Sequence, residues 1–132
     1  AIKEESVTDQ KNSLTVCLDN ILRHAGITRN TEYDLAQGKT AIQILQENMT
    51  GVQVLDLSGC SLDAVLYYVN QDIPVLAILE DGEAVLVTGF NEFNVVIMEP
   101  STGKLYKKGM SDATTWFAEN GNHFISYMKI DN

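Results

Sequence analysis

Basic residues are scarce in this chain: nine Lys and Arg stand against eighteen Asp and Glu in 132 residues, for a net charge of −9 and a pI near 4.5. A field of that sign repels a phosphate backbone, and no Lys/Arg stripe offers a local exception, so nucleic acid is excluded as a partner. The one basic cluster, Lys104, Lys107 and Lys108, reads as a solvated strand or edge. Cysteine is nearly absent. Cys17 and Cys60 make no disulfide framework, and apolar neighbours (Val16 and Leu18 beside one, Leu62 near the other) suit two free core thiols. Only two histidines occur, His24 and His123, and none of these four residues has metal-type spacing. Neither a metal nor another cofactor is expected. No apolar run approaches the ~20 residues of a membrane span, so direct membrane insertion by this segment is not expected. A signal-peptide pattern is also missing at the start. The first residue is Ala1 rather than Met, which fits a processed chain or a domain excised from a longer one.

What is present is ordinary globular sequence, 45% hydrophobic and 20% charged. A chain of this length buries roughly two-thirds of its unfolded surface and needs no staple. Residues 1–11 read as a polar lead-in and 12–132 as one domain. Leu14, Cys17, Leu18, Ile21, Leu22 and Ala25 recur at helical spacing, with Asn12 as N-cap and Gly26 as stop, predicting a helix over 13–25. Shorter helices are predicted at 31–37, at 41–47 behind a Thr40 cap, and at 62–69 behind Ser61. A half-buried strand is predicted at 52–57. From Pro74 the texture changes to strands at 74–79 and 84–88 around an Asp81-Gly82 hairpin signal, then at 93–98 and 105–108. A helix capped by Ser111 and running through Phe117, and a last strand at 123–128, complete the pattern. Helices first and an antiparallel sheet after them argue an α+β domain.

Three strand motifs, taken in order, carry a family likeness. Pro74-Val75-Leu76-Ala77, then Ala84-Val85-Leu86-Val87-Thr88-Gly89-Phe90, then Val95-Val96-Ile97-Met98-Glu99-Pro100 resemble successive strands of papain-like cysteine peptidases. Within that fold they look like the compact bacterial branch that cleaves double-glycine leader peptides, the bacteriocin-processing enzymes. The likeness spans about residues 12–128 and implies a papain-like fold, with N-terminal helices packed on an antiparallel sheet. In that family a nucleophilic Cys opens the first helix, a His opens the strand leading to Val-x-Gly-aromatic, and an acid closes the next strand before Pro.

Carried over residue by residue, those positions hold other side chains here. Counting back from Gly26, Ser13 stands at the nucleophile position and Cys17 falls one helical turn later. The histidine position is Glu83 and the orienting acid is Glu99. The oxyanion-hole glutamine would be Val7, with Gln10 only three residues before Ser13, and the glycine that follows the nucleophile is Leu14. Acyl transfer near neutral pH needs a base titrating close to the working pH. Imidazole, near 6.5, meets that need, whereas a glutamate carboxyl, near 4.3, is a weak base toward a hydroxyl. The resemblance therefore implies a catalytically degenerate member, with Ser13, Glu83 and Glu99 as vestigial triad positions.

Three functions remain open at this point. The first is a non-catalytic binding module for an extended peptide or a protein ligand, within a larger bacterial protein of the cell envelope or another extracytoplasmic setting. Tyr67, Tyr68, Phe90, Phe93 and Trp116 are candidates to line its cleft; core is the favoured reading for Phe90 and Trp116, which leaves Tyr67, Tyr68 and Phe93 as the peptide-binding aromatics. The second is an active cysteine peptidase using Cys17 or Cys60 with a rearranged base, His24 or His123. A thiol on an apolar helix face is inert, however, and His24 lies seven residues on, about 10 Å along the axis. Cys60 stands just before a predicted helix N-terminus, a place that can lower a thiol pKa, but no base is evident beside it. The third is a purely structural domain whose cleft is filled by side chains.

Overall fold

A computed structural model describes residues 12–130. The expected lead-in at 1–11, with Val7 and Gln10, lies outside the described residues. Helix α1 (Ser13–His24) forms because its apolar residues fall on one face: Cys17, Leu18, Ile21 and Leu22 are fully buried. The Asn12 side chain accepts from the Thr15 N–H at 2.7 Å to satisfy the first turn. Gly26, at φ +85, turns the chain out of the helix, and the Ile27 N–H returns to the Leu22 carbonyl at 2.8 Å. A short α2 (Glu32–Ala36) leads to α3 (Ala41–Asn48), which opens with a reciprocal Thr40–Gln43 capping box. The buried carboxylate of Asp19 accepts from the Thr31 N–H at 2.8 Å and its hydroxyl at 2.9 Å, tying α1 to the loop before α2.

Strand β1 (Val52–Asp56) and helix α4 (Leu62–Val69) precede four strands, β2 (Val75–Ile78), β3 (Ala84–Phe90), β4 (Asn94–Glu99) and β5 (Lys104–Gly109). Helix α5 (Met110–Glu119) and strand β6 (Phe124–Lys129) follow. The six strands form one antiparallel sheet in the order β1-β6-β2-β3-β4-β5, so β6 enters between β1 and β2. The α+β expectation, helices against an antiparallel sheet, holds.

Both faces of the sheet are covered. Leu76, Leu86, Met98, Ile125 and Tyr127 pack against α1 and α3 on one side. Val75, Val85, Val87, Val95, Ile97 and Phe124 pack against Leu62, Val65, Leu66 and Phe117 of α4 and α5 on the other. Alternate residues of β2 and β3 serve the two cores, which explains why those segments read as continuous apolar runs rather than as alternating strands. The second helical layer was not part of the sequence expectation.

Two local expectations fail. Helix α5 starts at Met110 with Gly109 in the cap position, so Ser111 is not the cap. The Met110 N–H donates to the Phe93 carbonyl at 2.8 Å, and the helix leaves β5 without a loop. Phe90, read as core, is 39% exposed. The register of β3 against β4 shifts between Val87 and Gly89, and this irregularity breaks the inward alternation before Phe90 is reached. Among the described residues no helix is long and apolar enough to cross a membrane.

Candidate functional site

Helix α1 packs on β3 and β2, and its first turn meets the start of β3. At that junction the Ser13 hydroxyl donates to a Glu83 carboxylate oxygen at 2.5 Å. The same oxygen of Ser13 accepts from the Ala84 N–H at 2.8 Å. The hydroxyl therefore both donates to and accepts from residues about seventy positions away. Glu83 is placed by its turn: its N–H donates to Asp81 Oδ1 at 2.9 Å, and its carbonyl accepts from the Leu79 N–H at 2.7 Å. The arrangement also sets a carboxylate beside the positive end of α1, whose first turn contains no acidic residue of its own.

Glu99, the last residue of β4, lines the same depression, a groove of about 570 Å³ that also takes in Ser13, Glu83, Tyr106 and Trp116. Its carboxylate accepts from the N–H and the hydroxyl of Ser101, each at 2.8 Å. Those two bonds hold the Glu99 carboxyl below the usual carboxylate range. Glu99 is thus turned into the β4–β5 turn, where it is held by Ser101. So the structure brings Ser13 and Glu83 into contact and puts Glu99 on the same groove.

Cys17 lies one turn deeper and is fully buried. Burial, and secondarily the negative charge of Glu99, push its thiol up to about 12. A thiol held so far above neutrality carries almost no thiolate at pH 7. Cys60 is half-buried, and its N–H donates to the Leu57 carbonyl at 3.0 Å just before the Ser61 cap of α4. The two histidines belong elsewhere. His24 Nε2 lies 2.9 Å from the Asp72 carbonyl oxygen, and His123 Nε2 lies 3.9 Å from the Glu80 carboxylate.

Tyr67, Tyr68 and Phe93, the peptide-binding aromatics named from the sequence, fall away from the groove. Tyr67 and Tyr68 line a separate depression with Gln71 and Met128, and Phe93, 71% exposed, sits in the turn between β3 and β4. The rings that do line the Ser13 groove are Tyr106 and Trp116. Trp116 was read as core and is only half-buried, with Lys108 Nζ 4.8 Å from its ring centre. Tyr106 was missed altogether. Its signal was its place in the alternation of β5, where it pairs with Ile97 of β4.

The fold has a solved counterpart. The crystal structure of a candidate C39-like peptidase from Bacillus anthracis superposes with a TM-score of 0.76 over 93% of this chain and 91% of its own, at 16% identity. This chain has the C39-like, papain-like peptidase fold. No family model matches the sequence, and no curated protein does. The likeness therefore lies in the backbone architecture, and the chemistry has to be read from the groove itself. Among the described residues no cluster of three His, Cys, Asp or Glu side chains is arranged to hold a metal ion.

Proposed function

We propose that this domain is a catalytically silent relative of C39-like peptidases that binds an extended peptide in the groove at Ser13. The observation that carries the reading is the Ser13–Glu83 pair. On the family carry-over these are the positions of the nucleophile and the base, and here they hold a hydroxyl and a carboxylate bonded to each other at 2.5 Å. A serine hydroxyl needs a base titrating near the working pH, and a carboxylate is too weak a base to activate it usefully. The Ala84 N–H takes one lone pair of the oxygen that would have to attack. Glu99, at the position of the orienting acid, is engaged by Ser101.

A groove remains although its chemistry is gone, and this favours binding over a cleft filled by side chains. The peptidase alternative through Cys17 is weakened by that thiol's burial and high pKa. For Cys60, the two histidines lie elsewhere, His24 at Asp72 and His123 at Glu80. The reading sets the domain within a larger bacterial protein of the cell envelope.

The test is incubation with a double-glycine leader peptide, followed by mass spectrometry and by amide shift mapping on labelled protein. The expected result is an intact peptide and shifts clustered at Ala84, Ser101 and Trp116. Cleavage that disappears in Cys17→Ala or Cys60→Ala would overturn the silent-domain reading. Shifts clustered instead at Tyr67 and Gln71 would move the binding site.

A further inference from the structure

The groove at Ser13 combines carboxylates with aromatic rings. Asp81, Glu83 and Glu99 line it together with Tyr106 and Trp116. Each carboxylate is hydrogen-bonded, but only to neutral donors: Asp81 to the Glu83 N–H, Glu83 to the Ser13 hydroxyl, and Glu99 to the N–H and hydroxyl of Ser101. Neutral donors fix the geometry and leave the charge in place. Among the described residues none of the three enters an ion pair. The neighbouring cations of β5 are not directed at them. Lys108 lies over the Trp116 ring, and Lys104, although in register with Glu99, is not within ion-pair distance of it. Burial, and after it the charge of Glu99, hold the Tyr106 hydroxyl above its usual range, so the field of that carboxylate reaches the ring.

We infer that the groove takes its peptide through a lysine or arginine side chain, with the cationic head among Asp81, Glu83 and Glu99 and the stem along Tyr106 and Trp116. This rests on the peptide-binding reading and names the chemistry of the ligand. An apolar segment would desolvate three carboxylates without giving them a partner, and an acidic one would be repelled. A cation gains charge complementarity, and the rings accept its aliphatic stem, the Trp116 ring already holding Lys108 as its cation. The net charge of −9 steers such a ligand toward the domain.

Trp116 is the only tryptophan in the chain and lines the groove, so its emission reports occupancy. The probe is an acetylated and amidated heptapeptide of Gly and Ser with two central lysines. Its twins carry acetyl-lysine or glutamate at those positions, and calorimetry alongside detects any binding that leaves the emission unchanged. The lysine peptide is expected to bind saturably and to weaken as salt rises. Asp81→Asn and Glu99→Gln keep the acceptor oxygens but remove charge, and each should weaken it by about two- to fivefold. The glutamate twin should not bind. If the acetyl-lysine twin binds as tightly as the lysine peptide, the cationic specificity is wrong and the peptide groove stands. If no peptide of any charge binds by either method, the groove reading itself falls, and this inference falls with it.

Discussion

The Ser13 hydroxyl joins the first turn of α1 to the first residue of β3 by donating to Glu83 and accepting from Ala84. This linkage is structural in its chemistry, and its removal should register as stability rather than as activity. Ser13→Ala leaves the Ala84 N–H and the Glu83 carboxylate without their shared partner. The expected loss is about 1–2 kcal/mol. Urea unfolding followed by circular dichroism measures it, and an unchanged midpoint would show that water replaces the hydroxyl without loss.

The same proximity permits a gain-of-function test. Ser13→Cys alone puts a thiol beside the Glu83 carboxylate, where negative charge disfavours the thiolate. Adding Glu83→His substitutes a group that favours it. Alkylation at position 13 by iodoacetamide at pH 7 should be about tenfold faster in the double variant than in the single one. Equal rates would mean that the two positions do not approach closely enough to form a thiol–imidazole pair.

Cys17 should be silent to thiol reagents in the native protein and reactive once it is unfolded, so mass mapping after mild alkylation should find the label on Cys60 alone. The raised thiol also sets a pH dependence. Its folded value, about 12, lies above the 9.0 of a free thiol, so the folded state binds the proton more tightly. The stabilisation is fully present below pH 9 and is lost between about 9 and 12, with a slope approaching 1.4 kcal/mol per pH unit from this group. Tyr106 and Tyr127, also raised by burial, add to the same alkaline limb. Cys17→Ala should unfold more easily at neutral pH yet show a shallower decline above pH 9. An identical slope in both proteins would refute the assignment to Cys17.

Thr31→Val removes a hydroxyl that the buried Asp19 carboxylate accepts at 2.9 Å and keeps the side chain's shape. The expected destabilisation is about 1–2 kcal/mol, with faster hydrogen exchange in the loop between α1 and α2. Uniformly faster exchange across the sheet would argue against a local clamp.

Much of the fold was legible because its signals are local. Asn12, Thr40 and Ser61 cap the helices they were expected to cap, each through a side-chain oxygen accepting from a first-turn N–H. The strand sequence from Pro74 to Pro100 carried the family likeness, and the solved counterpart agrees with it at the level of fold. What could not be read depends on contacts distant in sequence. Both helices, at 62–69 and through Phe117, were expected, but that they pack together on the far face of the sheet rests on contacts distant in sequence. Phe90 escaped the core because a register shift one turn of the zigzag earlier is invisible in composition. For the site, the family likeness picked out Ser13, by counting back from Gly26, and Glu83, just before Ala84, and the two side chains do meet. The aromatic lining was misassigned: Tyr67 and Tyr68 sit on α4, whereas β5 and α5 bring Tyr106 and Trp116 to the groove.

The position of β6 between β1 and β2 has a consequence for biosynthesis. Residues 124–129 leave the ribosome after every other strand, yet they fill an inner lane of the sheet. Until they emerge, β1 lacks its one strand neighbour among the described residues, and the β2 edge at Leu76 and Ala77 is unpaired. A chain stalled or clipped before Phe124 therefore carries an open, apolar slot sized for a strand. Such a fragment is a natural client for chaperones and a template for intermolecular pairing, whereas the finished chain closes that slot with its own last strand.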